Sequence, residues 1–190
     1  MNRIFYCLVL LTALAGCAST QTFDYYRLKP DAVAGNYKVV QNVGVAPVII
    51  PGWMTSNLMS WSDGYKIHRT DNDRWSFDVK SQIEHVLSTN LSRELSGKPV
   101  NVGPWLGGNR PDRAVFVEIT DVSLTGANVE MAVNWRIENK ERETIYRQNE
   151  EPFVVLVMHD GTREEAFVQG LSSALVQLSE QIAGKLAAYQ

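Results

Sequence analysis

The run Val115-Phe116-Val117-Glu118-Ile119, carried through Thr125-Gly126-Ala127-Asn128 into Val129-Glu130-Met131-Ala132-Val133-Asn134-Trp135-Arg136-Ile137, decides the fold. Successive side chains of a strand point to opposite faces, so residues two apart share a face. Val115, Val117 and Ile119 alternate with polar or mixed neighbours, and Val129, Met131, Val133, Trp135 and Ile137 do so without a break. With a turn between them, the two runs read as a long hairpin with one buried face, and Trp135 belongs to that face.

Toward the C-terminus a third strand is expected within residues 144–158, interrupted near Glu150-Glu151-Pro152 because proline cannot donate to a ladder. Asp160-Gly161 turns the chain. Thr162 and Glu165 have the spacing of a capping box, and Phe167, Leu171, Leu175, Leu178, Ile182, Leu186 and Tyr189 recur on one helical face. Toward the N-terminus, Val79, Ile83, Val86, Leu87, Leu91 and Leu95 mark a second amphipathic helix, with Ser76 as its expected N-cap and Gly97 and Pro99 beyond its end. Asp71-Asn72-Asp73 reads as turn chemistry ahead of that helix. Val43 to Ile50 is an apolar strand that Pro47 makes an edge or a break, closed by Pro51-Gly52. Tyr65-Lys66-Ile67-His68-Arg69 alternates and is expected to pair with it, and Tyr25-Tyr26-Arg27-Leu28 is a further short strand. The elements define an α+β fold over residues 25–190, an antiparallel or mixed sheet packed against two long amphipathic helices.

At 190 residues and 45% hydrophobic content, the chain can build its core without disulfides or metal. With 18 Lys and Arg against 21 Asp and Glu it lacks the basic excess that grips phosphate backbones, so nucleic acid is not an expected partner.

Residues 1–16 have the layout of a secretory signal: Arg3, an uncharged stretch from Ile4 to Ala15, then small residues before Cys17. The stretch is short of the ~20 residues that span a bilayer. Leu14-Ala15-Gly16-Cys17 resembles the bacterial lipobox, which implies cleavage between Gly16 and Cys17, diacylglycerol on the Cys17 sulfur and an N-acyl chain on its amine. At ~0.8 kcal/mol per buried CH₂, several acyl chains anchor a protein effectively permanently. Residues 17–24 then form the lipidated N-terminus and a short tether. In lipoproteins of this type an Asp after the cysteine favours inner-membrane retention, and Ala18 implies delivery to the outer membrane, facing the periplasm. Cys7 leaves with the signal, so the mature chain keeps no free thiol.

No catalytic constellation emerges. His68, His85 and His159 lie far apart, and none has the spacing that places two imidazoles on one metal. Asp71-Asn72-Asp73 lacks the glycine and distal glutamate of a calcium loop. The Gly-rich segment Gly103 to Asn109 lacks the Lys-Ser/Thr of a P-loop, and Ser172 and Ser173 sit on a helix where a hydrolase nucleophile needs a strand-to-helix elbow. A non-enzymatic protein with no metal or cofactor is expected. Trp53, Met54, Leu58, Met59 and Trp61 crowd one short window with neither helical nor alternating spacing. Such apolar area marks a protein–protein interface, the alternative being a loop folded back over its own sheet.

Asp73-Arg74-Trp75-Ser76-Phe77-Asp78-Val79-Lys80-Ser81-Gln82-Ile83, leading to Val86-Leu87-Ser88-Thr89-Asn90-Leu91, resembles the Arg-Trp…Leu…Asn-Leu pattern of the ABC-type transport auxiliary lipoproteins, the PqiC family. Tyr25-Tyr26-Arg27-Leu28 is similar to the family's opening Tyr-Tyr-x-Leu, Val43-Gly44-Val45-Ala46-Pro47-Val48 to its next strand, and Val115 to Trp135 to its hairpin. Gly52 to Gly64 departs from the family's Tyr/Leu-rich segment. The resemblance implies an outer-membrane lipoprotein of an MCE-type lipid-transport system that docks a periplasmic MCE-domain tunnel protein. Inner-membrane transporter components are implied as further partners, and a homo-oligomer as the assembly. A lipoprotein regulator of a periplasmic cell-wall enzyme would share the anchor and the lack of catalytic motifs.

Overall fold

The computed structural model describes residues 22–106, 108–157 and 161–189. Eight strands and two long helices follow one another: β1 Asp24–Tyr26, β2 Val43–Val45, β3 Leu58–Asp63, β4 Lys66–Trp75, α1 Val79–Glu94, β5 Val100–Val102, β6 Arg113–Thr125, β7 Asn128–Asn139, β8 Thr144–Leu156 and α2 Arg163–Ala188. They form the expected α+β architecture, with a mixed sheet.

Strand β6 is the spine. One of its edges pairs antiparallel with β7 along nearly its whole length, and β8 pairs antiparallel with β7. Its other edge is shared, with β2 lying parallel opposite Arg113–Val115, Ile49 bridging to Glu118, and β3 meeting it where Ser62 faces Ser123. Beyond β3 the order continues to β4 and β1, and beyond β2 to β5. Val115, Val117, Ile119, Val122 and Leu124 of β6 are buried against the helices. The step from Ile119 to Val122 would break a strict alternation, and a bulge between Ile119 and Asp121 absorbs the extra residue. The interruption expected near Pro152 is a second bulge: Glu151 faces Val133 but Gln148 faces Trp135. There Glu150 turns to φ +52° and donates its N–H to Asn134 Oδ1 at 2.8 Å.

Both helices run on one face of the sheet. Thr162 and Glu165 form the capping box, with the Glu165 N–H donating to Thr162 Oγ1 at 3.2 Å and the Thr162 N–H to Glu165 Oε2 at 3.0 Å. Helix α2 approaches β7 closely at Gly170, where a Cβ would lie 2.4 Å from Val129 Cγ2.

Three local expectations are corrected. The N-cap of α1 is Asp78, not Ser76: its carboxylate accepts from the Ser81 N–H at 2.8 Å and the Ser81 hydroxyl at 2.7 Å, contacts that hold its pKa below the usual aspartate range. Residues 65–69 do not pair with the strand at Val43; Tyr65 lies in the turn after β3 and residues 66–69 open β4, which pairs with β3 and β1. Asp71-Asn72-Asp73 lies within β4, not in a turn ahead of α1: Asp73 pairs with Asp24, and Asp71 and Asn72 fall where the register between β3 and β4 shifts.

Candidate functional site

The five apolar residues proposed for an interface divide. Gly52–Met54 is a 3-10 turn and Leu58 opens β3. Met54, Met59 and Trp61 are buried in the core, where the Trp61 ring lies 5.2 Å from that of Phe167. A side chain so enclosed cannot meet a partner on the native surface. This corrects the expectation for those three and favours the alternative of a segment folded onto its own sheet. Trp53 and Leu58 remain half-exposed, with the Trp53 carbonyl accepting the Ser60 hydroxyl at 3.2 Å.

The least expected feature is a strap. Residues 28–37 run along the two helices, pinned by polar side chains that those helices bury. The Leu28 N–H donates to Gln82 Oε1 at 2.9 Å, the Lys29 N–H to Ser172 Oγ at 3.2 Å and the Ala32 N–H to Asn90 Oδ1 at 3.2 Å. Arg93 donates to the carbonyls of Pro30 and Ala32, and the Gly35 and Tyr37 N–H groups reach the carbonyls of Arg93 and Glu94 at 3.1 and 3.2 Å. Because a strap cannot complete a ladder, its backbone groups need such partners wherever helices cover them. This explains the buried Gln82, Asn90 and Ser172 on largely apolar faces. Their polarity at positions 82 and 90, two turns apart on the α1 stripe, was the available sequence signal.

Between the start of the strap and the first turns of α2 lies an open cleft of about 600 Å³, into which Arg27, Lys29, Asp31, Glu165 and Gln169 project alongside Ser172. Its charges are mixed. The Ser172 hydroxyl accepts from the Lys29 N–H of the strap, and the described residues lining the cleft include the carboxylates Asp31 and Glu165 but no histidine. His68 is exposed and lies 4.4 Å, ring to ring, from Trp61; His85 is exposed on α1; His159 lies outside the described residues. Glu94 is buried, and burial together with the charge of Glu180 raises its pKa. Among the described residues no group of three or more His, Cys, Asp or Glu could hold a metal ion. Gly16 and Cys17, expected at the cleavage and lipidation site, lie outside the described residues.

What fold and surface define is a two-layer α+β module that presents a polar strap and open clefts without a convergent catalytic set among the described residues. Residues 26–183 match the model of the ABC-type transport auxiliary lipoprotein component, and the chain belongs to that family. No curated protein matches it. Among solved structures, a crystal structure of an uncharacterised protein aligns at 20% identity with a TM-score of 0.66, over 86% of this chain and 98% of that one. Protein XCC0632 from Xanthomonas campestris, of family DUF330, aligns at 13% identity with the same TM-score, over 88% of this chain and 95% of the other. At these identities the two share the fold. Among the described residues no helix is long and apolar enough to cross a membrane.

Proposed function

We propose that the protein is a lipid-anchored docking subunit of an MCE-type lipid-transport system, held at the outer membrane through acylated Cys17, facing the periplasm and binding the end of an MCE-domain tunnel. The observation that carries this reading is the family match over residues 26–183, which takes in both helices almost entirely and every strand but the first two residues of β1. An auxiliary role in transport asks for a rigid, anchored binding module, and the domain offers a sheet stapled by two helices and a strap. It acts without cofactor, as a homo-oligomer whose copies surround the tunnel end, and the inner-membrane transporter components supply the energy.

The test is affinity purification of the full-length lipoprotein from bacterial membranes, with mass spectrometry of what accompanies it. Recovery of an MCE-domain protein and its permease is the expected result. Recovery of peptidoglycan synthases in their place would overturn the transport reading in favour of a cell-wall regulator.

A further inference from the structure

The β3–β4 hairpin ends in a turn with an unusual surface. Asp63 pairs with Lys66 across Gly64-Tyr65, and Gly64 takes φ +61°, a conformation that suits glycine at a two-residue hairpin turn. The turn holds Tyr65 fully in solvent, at 109% relative exposure, and leaves Ile67 45% exposed, with Lys66 and Arg69 exposed beside them. An aromatic ring and an isoleucine beside two cations form a poor surface for water alone. That combination suits the headgroup region of a bilayer, where tyrosine rings settle and basic side chains meet anionic lipid.

The course of the chain says which surface covers it. Strand β1 lies parallel to β4, with Asp24 in register with Asp73, so the segment preceding Asp24 arrives from the end where the hairpin tip stands. Lys66 pairs with Asp63 and Arg74 with Leu58, so at ~3.4 Å per residue along β3 the tip stands roughly 17 Å beyond Tyr25, which is in register with Arg74. Residues 17–24 can span at most roughly 25 Å at ~3.3–3.6 Å per residue. The tether is therefore long enough to bring Cys17 level with the tip of the hairpin. A domain held by Cys17 cannot lift this tip far from the lipid while it stands with that end toward the membrane.

We infer that the tip of the β3–β4 hairpin, Tyr65 with Lys66 and Ile67, inserts into the headgroup layer of the membrane that holds the anchor and fixes the orientation of the domain on it. This rests on the reading that Cys17 is lipidated. The turn at Asn139–Glu143, at the opposite end of the β6–β7 hairpin, then points away from the bilayer.

The test uses the full chain, lipidated in cells, purified from membranes and reconstituted into vesicles of phosphatidylethanolamine and phosphatidylglycerol. Acylation of Cys17 is first verified by mass. Tyr65→Cys, Tyr25→Cys and Glu141→Cys each add one free thiol for a fluorophore, and nitroxide lipids report its proximity to the bilayer. Circular dichroism verifies that each variant is folded. Several-fold stronger quenching at position 65 than at 25 or 141 is expected. Equal quenching at all three positions, or strongest quenching at 25 or 141, overturns the orientation while leaving the anchor intact. An unacylated Cys17 overturns anchor and orientation together.

Discussion

Trp135 sits mid-strand on β7 at 2% exposure, its ring 4.8 Å from that of Tyr146 and its indole Nε1 buried without a partner among the described residues. Trp135→Ala is expected to cost about 3–5 kcal/mol, the range for emptying an aromatic site in a core. Trp135→Phe keeps most of the ring and removes the unpaired N–H, so it costs clearly less. Urea midpoints of the chain shortened to begin after the tether measure both, and an alanine loss below about 1 kcal/mol would mean that the site is not core. Glu94 gives a pH signature. Burial and Glu180 raise its pKa in the folded state, so the folded protein holds that proton more tightly than the unfolded chain. The resulting stability is fully present below the unfolded value of about 4.3 and is lost as pH rises through the folded one. Glu94→Gln should therefore raise the urea midpoint near neutral pH, with the gap closing as pH falls below the unfolded value. A gap independent of pH would assign the gain to another cause. Trp135 was legible because alternation alone places it inward. Glu94 was not, since Arg93-Glu94-Leu95 reads locally as any helix end and its burial is completed by a strap some sixty positions earlier in the chain.

The same divide between local and remote signals runs through the elements. The β6–β7 hairpin and the capping box of α2 were readable because each is specified by residues a few positions apart. Strand β3 was unreadable for a physical reason: Met59, Ser60, Trp61 and Ser62 are all buried, so both faces are covered and no alternation survives, and a register shift between Leu58 and Ser60 blurs the period further. The parallel pairings of β1 with β4 and β2 with β6 join segments dozens of residues apart, and nothing in either segment names its partner. Packing between elements also overrides intrinsic propensity. Alanine favours a helix over glycine by about 1 kcal/mol, yet at Gly170 its methyl would press 2.4 Å from Val129 Cγ2 and 2.9 Å from Val157 Cγ2. Overpacking of that kind costs about 1–3 kcal/mol, so Gly170→Ala should show a net loss of stability. An unchanged or raised thermal midpoint would mean that α2 can lift off β7 freely.

For the whole molecule, the deciding residue on the lipoprotein reading is Cys17. Cys17→Ser should abolish palmitate labelling and leave the uncleaved precursor in the inner membrane, and undiminished labelling would disprove the lipobox assignment. The family and the two-layer architecture were legible because motif order and hydrophobic periodicity span the chain. The strap and its clefts were not, because they depend on how two helices lie beside each other. That strap bears on how the molecule carries load. A pull on the residues before Asp24 enters along β1, whose ladder with β4 runs parallel to the force and is strained in shear, so its bonds share the stress instead of opening one at a time. What β1 does not hold passes to residues 28–37, riveted at intervals to α1 and α2 by Gln82, Ser172, Asn90 and Arg93. Tension at the N-terminus is thus spread over the sheet edge and both helices, so the domain is harnessed to its leash at several points and can be tugged without being unravelled from its first residue.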